Sequence, residues 1–199
     1  MHTGERLTNP KEVHHMVEFT LHDTKTAPAE ARERLEKAQQ AMGFIPNLFA
    51  HMAEAPATLE AYQTLDGILA KTSLSPVERE VVLLATSVEN RCHFCVAAHS
   101  GRAKQAGMDD AVLEALRAGG SLPDARLDAL ATFTRTVVRE RGWAGDAPLH
   151  AFVDAGFTQG QALEVVLGVA LKTLSNYTNH IAGTPLNAEL SSLAWKEAA

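Results

Sequence analysis

The stretch Pro76–Gly107, PVEREVVLLATSVENRCHFCVAAHSGRAKQAG, decides how the rest of the chain is read. It opens with a strong helix start: Ser75 as cap, Pro76 at the first helical position and Glu78 in the first turn. The apolar pattern then runs through REVVLLATSVEN without a turn signal, so the β-branched VVLLA at 81–85 belongs to a helix and not to a strand. Asn90 tolerates the left-handed conformation and is expected to break or re-aim the helix there. A second helix resumes from Arg91 and stops at Gly107. At ~100° per residue, Cys92, Cys95 and His99 then lie on one face of that helix, within roughly 60° of one another.

The same punctuation recurs on either side. Residues 28–42 are rich in strong helix formers and end at Gly43, while Pro46 and Pro56 each open a further helix. Downstream, Asp109 with Asp110, Pro123-Asp124, Asp146 and Thr158 are starts for four more. No segment reads as a strand, and the connections are a few residues long. The expectation is an all-α single domain over residues 16–199. Residues 1–15 form a polar extension, disordered or foreign to the natural chain, with Met16 as the more natural start. One pair of segments lines up at an offset of 84: EVVLLATSVENRCHFCVAAH at 80–99 and EVVLGVALKTLSNYTNHIAG at 164–183. The second carries Asn176 and Asn179 in place of the cysteines and Gly183 in place of His99, so an internal helical repeat would keep its chemistry in the first copy only.

Composition narrows the function classes. A net charge of −6 disfavours nucleic acid and anionic membrane surfaces as partners. No apolar run approaches the roughly 20 residues a bilayer span requires, and the N-terminus lacks the apolar stretch of a signal peptide. A cytoplasmic location is expected. In that compartment the only two cysteines, three apart, point to catalysis, redox chemistry or metal binding before a structural disulfide.

The thiolate is the reactive form of cysteine, and several neighbours favour it. The pair sits in the first turn after Asn90, where unpaired N–H groups attract negative charge. Arg91 is adjacent, and His99 can take a proton directly or through a water. Glu80 lies twelve residues before Cys92, and a chain folded back at Asn90 would bring it to orient His99, completing a thiol–imidazole–carboxylate relay. Zinc is the main competing reading, with Cys92, Cys95, His99 and Glu80 as ligands, but no second CxxC or HxxxH supports it. Buried core cysteines are the bland one. A thioredoxin site would follow a strand in a βαβ unit, and none is present. His180 is read as a capping or core histidine, and His14 and His15 as solvated.

Glu80, eleven residues, Cys92-His93-Phe94-Cys95, three residues, then His99 resembles the signature of the AhpD-like (alkylhydroperoxidase D, carboxymuconolactone decarboxylase) superfamily. FIPNLFAHMAEAP upstream and YTNHIAGTPLNAEL downstream resemble its peroxidase-related branch, so the likeness covers most of residues 27–190. The resemblance implies an all-α fold with an internal repeat and assembly into homotrimers or homohexamers. It implies that Cys95 attacks peroxide, that Cys92 resolves the intermediate, and that Glu80 and His99 form the relay. The activity expected is a peroxiredoxin-type alkylhydroperoxide reductase, an antioxidant thiol peroxidase with no metal or cofactor. Its partners would be a peroxide substrate and a dithiol electron donor. A disulfide oxidoreductase or redox sensor, and a decarboxylase-like acid/base enzyme using His99 and Glu80, are the alternatives. Many members carry Gly where this chain has Arg91, and His93 stays outside the core set because its position varies. Glu80→Gln is expected to slow peroxide reduction without disturbing the fold.

Overall fold

A computed structural model describes residues 17–197, so the expectation for residues 1–15 lies outside the described residues. Among those described there are nine α-helices and no strand. They are α1 (Ala29–Met42), α2 (Asn47–Met52), α3 (Pro56–Leu69), α4 (Pro76–Glu89), α5 (His93–Gln105), α6 (Asp110–Arg117), α7 (Ala125–Arg139), α8 (Asp146–Asp154) and α9 (Gln159–Ala182). A 3-10 helix, Ala188–Leu193, follows.

The starts obey local chemistry. Ser75 Oγ accepts the Glu78 amide while the Glu78 carboxylate accepts the Ser75 amide, a complete capping box. Thr158 and Gln161 form a second box at α9, and Asp109 and Asp124 cap α6 and α7. Two expected caps move by one position. Asp110 is the first helical residue after Asp109, and Asp146 follows Gly145, whose φ of 76° sets the entry to α8.

α4 is the central post, packed against α5, α6, α7 and α9. Every residue from Glu80 to Ser87 is buried, as an apolar run around most of a helix requires. Val81, Val82, Leu84 and Ala85 join one core with Leu113, Leu116, Leu130, Phe133, Phe152 and Val165. Leu83 faces a second core built from Leu35, Leu48, Leu59, Tyr62 and Leu171, and both cysteines belong to that one. α9 closes on α4 at Gly168, where an added Cβ would stand 2.6 Å from Val82 Cγ1, so only glycine allows this approach.

The break after α4 differs in one residue from the expectation. Asn90 keeps φ −82°, and Arg91 takes the left-handed conformation at φ 55°. The Arg91 amide bonds Val88 O and the Cys92 amide bonds Ser87 O, which is a Schellman turn with arginine at the position that usually takes glycine. The amide of Asn90 stays in the helix ladder, and its side chain bonds Asn176 instead. The aligned segments 80–99 and 164–183 part at this turn: the first bends into a new helix, while the second runs on as the unbroken α9.

Candidate active site

The Schellman turn leaves Cys92 as the N-cap of α5 and Cys95 in its first turn. Both are free thiols and nearly without exposure, at 1% each. α9 supplies the facing wall. Asn179 Nδ2 donates to Cys95 Sγ at 3.3 Å and to Cys92 Sγ at 3.5 Å, and Ser175 Oγ lies 3.7 Å from Cys95 Sγ. The residue aligned with Cys95 in the second copy therefore returns as its hydrogen-bond partner. Against the expectation that an internal repeat keeps its chemistry in the first segment only, segment 164–183 supplies Asn179 as a donor to both sulfurs of segment 80–99.

The antiparallel return of α5 beside α4 brings Glu80 and His99 together. His99 Nδ1 lies 2.8 Å from Glu80 Oε2, and both side chains are buried. Glu80 Oε1 also forms an ion pair with Arg102 Nε at 3.0 Å, and Arg102 in turn holds Asp66 at 3.0 Å. Lys172, fully buried on α9, places Nζ 2.8 Å from His99 Nε2. A carboxylate only accepts and an ammonium only donates, so Nδ1 carries the imidazole proton and Nε2 the lone pair. His99 is thus neutral: burial lowers its pKa, the Lys172 charge lowers it further, and Glu80 opposes both. Burial alone would raise the Glu80 pKa, but His99 and the Arg102 and Lys172 charges hold it below the usual value. A cavity of about 250 Å³ lined by Asp66, Arg79, Glu80 and Arg102 reaches this carboxylate from the surface.

The two thiols are pushed apart. Cys92 is raised, first by its hydrogen bond to Cys95, then by burial and by the charge on Cys95. Burial would raise Cys95 too, but the Cys92 hydrogen bond, the Lys172 ammonium, His99 and Ser175 together hold it well below the usual thiol range. The two thiols titrate as a coupled pair, and the directions favour Cys95 as the one that loses its proton first.

The four residues singled out in the sequence are therefore neighbours, with one change in connectivity. Both nitrogens of His99 are taken, by Glu80 and Lys172, so the imidazole does not meet the thiol as the relay expected. Arg91 turns outward to Glu197 at 2.9 Å and does not support the thiolate. His93 Nδ1 lies 3.1 Å from Trp195 O, away from the relay, and His180 is exposed in the last turn of α9. Among the described residues no group of three or more His, Cys, Asp or Glu side chains is arranged to hold a metal ion. Lys172, Ser175 and Asn179 escaped the sequence reading. Their signal was present as the polar residues of KTLSNYTN at 172–179 inside an apolar helix, but it looked like the unreactive copy of a repeat.

Residues 56–133, which include Glu80, Cys92, Cys95 and His99, match the carboxymuconolactone decarboxylase family. Comparison with curated proteins gives no match. Among solved structures, the alkylhydroperoxidase AhpD core of an uncharacterised peroxidase-related protein from Ralstonia eutropha JMP134 is 26% identical. It superposes with a TM-score of 0.77 over 87% of this chain and 93% of its own. An uncharacterised peroxidase-related protein from Silicibacter sp. TM1040 is 23% identical, with a TM-score of 0.75 over 93% of this chain and 97% of its own. The debrominase Bmp8, solved with 2,3,4-tribromopyrrole, shares the fold at 13% identity and a TM-score of 0.72, over 88% of this chain and 94% of its own. With its CxxCxxxH motif set in an all-α fold, the chain matches the carboxymuconolactone decarboxylase family over residues 56–133 and has the architecture of the AhpD-like peroxidase-related proteins.

Proposed function

We propose that the protein reduces hydroperoxides through a dithiol–disulfide cycle at Cys95 and Cys92. The observation that carries this reading is a pair of free, buried thiols at the start of α5 that share one donor, Asn179 Nδ2, and the opposite pKa directions, Cys95 down and Cys92 up, agree with it. The Cys95 thiolate attacks the peroxide oxygen and becomes a sulfenic acid, and an alcohol leaves. Cys92 then condenses with the sulfenic acid, releasing water and forming the disulfide. A dithiol donor restores both thiols by exchange. The acid/base alternative has less support, because neither nitrogen of His99 is free to work on a substrate.

Stoichiometric peroxide should remove two hydrogens from the intact mass and join Cys92 to Cys95. Catalytic consumption should then follow when a dithiol is supplied. Disulfide formation without turnover would favour the redox-sensor reading, and two surviving thiols would remove both. The pKa direction sets the pH dependence: reaction with peroxide should persist below the ordinary thiol pKa and fade only as pH drops through the depressed Cys95 value.

We also propose that the protein works as a homo-oligomer. On α9, Leu163, Val166, Tyr177 and Ile181 are exposed and fall within about 60° on the side opposite the buried face. Light scattering at micromolar concentration should report a mass of several chains, and a monomer would overturn this.

A further inference from the structure

We propose that Lys172 is the counter-ion of the Cys95 thiolate and the acid that protonates the oxygen leaving the peroxide, with His99 as the neutral acceptor that aims its ammonium. This rests on the peroxidase reading above and assigns a role to a residue outside the stretch that matches the family.

Lys172 is fully buried, and no carboxylate of the described residues pairs with it. Its surroundings are His99 Nε2 at 2.8 Å and the Tyr62 ring at 6.0 Å to the centroid. A buried ammonium with neutral neighbours alone is costly, and burial by itself would drive it to the free amine. Glu80 cannot serve as its direct partner, since the whole imidazole of His99 stands between them and Arg102 already takes the other oxygen. The remaining anion is Cys95. Lys172, Ser175 and Asn179 share one face of α9 at spacings of three and four, and the latter two contact the Cys95 sulfur. Burial would lower the Lys172 pKa, but Cys95 first, then Tyr62 and Cys92, together turn the shift upward, in keeping with a paired ammonium.

The same arrangement assigns the proton. His99 Nε2 holds a lone pair that accepts from Lys172, so it offers the leaving oxygen no proton. When the Cys95 sulfur bonds to the outer peroxide oxygen, the O–O bond breaks and the departing alkoxide takes a proton from the Lys172 ammonium. Cys95 is then a sulfenic acid, Lys172 a free amine, and the alcohol leaves neutral. The Cys92 thiol gives its proton to that amine and attacks the Cys95 sulfur, and the expelled hydroxide takes the proton back as water. The disulfide is left facing the amine. Reduction by the dithiol donor returns two thiols, and the Cys95 proton passes to Lys172, restoring the ion pair.

The test reads the thiol without peroxide. Alkylation of Cys95 by iodoacetamide is followed against pH in the full chain, Lys172→Met, Lys172→Arg and His99→Asn, beside single-turnover sulfenic-acid formation. Lys172→Met should move the alkylation profile up by about 1–3 pH units, the range a neighbouring opposite charge supplies. Lys172→Arg should keep the low profile yet form sulfenic acid at least about tenfold more slowly, because arginine holds its proton in the working range. An unchanged profile in the Met variant, or a larger shift from His99→Asn than from Lys172→Met, overturns the proposal. Should the Met variant not fold, the Arg variant decides: a wild-type rate of sulfenic-acid formation removes Lys172 as the acid. A protein whose alkylation depends on Lys172 but which consumes no peroxide overturns the peroxidase reading and leaves the counter-ion assignment standing.

Discussion

Cys95→Ser is expected to abolish peroxide reduction, by at least about 10³-fold, the scale on which enzymes lose rate when the nucleophile is removed. The reason lies in where the negative charge resides. Cys95 stands in the first turn of α5 and accepts from Asn179, and its pKa is drawn well below the usual thiol range, which favours the thiolate where an ordinary thiol is protonated. A serine hydroxyl there stays protonated and is a far weaker nucleophile toward oxygen. Cys92 does not replace it, because its pKa is displaced upward by its neighbour Cys95 and by burial. Cys92→Ser should behave differently: one equivalent of peroxide consumed, then arrest, with a sulfenic acid on Cys95 that dimedone traps. Mass spectrometry of the trapped adducts separates the roles. An adduct on Cys92 in the Cys95→Ser protein, with none on Cys95 in its counterpart, would exchange them.

Glu80→Gln carries the second large effect, and here the structure changes what the sequence suggests. The expectation of an undisturbed fold assumes an exposed or half-exposed carboxylate, whereas Glu80 is 4% exposed, accepts from His99 and is ion-paired with Arg102. An amide offers one oxygen and one NH₂ group, so one of those donors must face another donor. Leaving a hydrogen bond to a charged group unmade should cost about 1–3 kcal/mol, visible as a lower urea midpoint. Turnover near neutral pH should fall by at least about tenfold, since losing acid–base assistance typically costs about 10²–10⁴-fold. His99 loses the acceptor that fixes its proton on Nδ1, and with it the lone pair that aims Lys172. The acid limb of stability should change as well. Glu80 has a depressed folded pKa, so its contribution is complete above the ordinary carboxylate pKa and is lost as pH falls through the folded value. The Gln variant should lack that limb. A folded Glu80→Gln protein with the wild-type rate and wild-type acid stability would remove Glu80 from the site.

The sequence by itself determined the helices and the cysteine pair. Caps, prolines and glycines are local signals: Ser75 with Glu78 and Thr158 with Gln161 close their boxes within four residues, so no distant contact is needed to find them. The same holds for Cys92 and Cys95, whose nearness follows from a spacing of three, and for Glu80 and His99, whose spacing matches a known pattern. The tertiary structure decided what surrounds the sulfurs. Lys172 and Asn179 lie 77 and 84 residues beyond Cys95, on a helix that approaches α4 because Gly168 fits against Val82. Long-range placement of that kind leaves no local signature, since a lysine inside a helix is ordinary until burial removes its water. Arg91 shows the reverse error. Its neighbourhood in sequence promised a charge beside Cys92, but the left-handed turn it occupies throws its side chain outward to Glu197. Sequence distance set the residues available for chemistry, and the packing of α9 against α4 and α5 set which of them meet the thiolate.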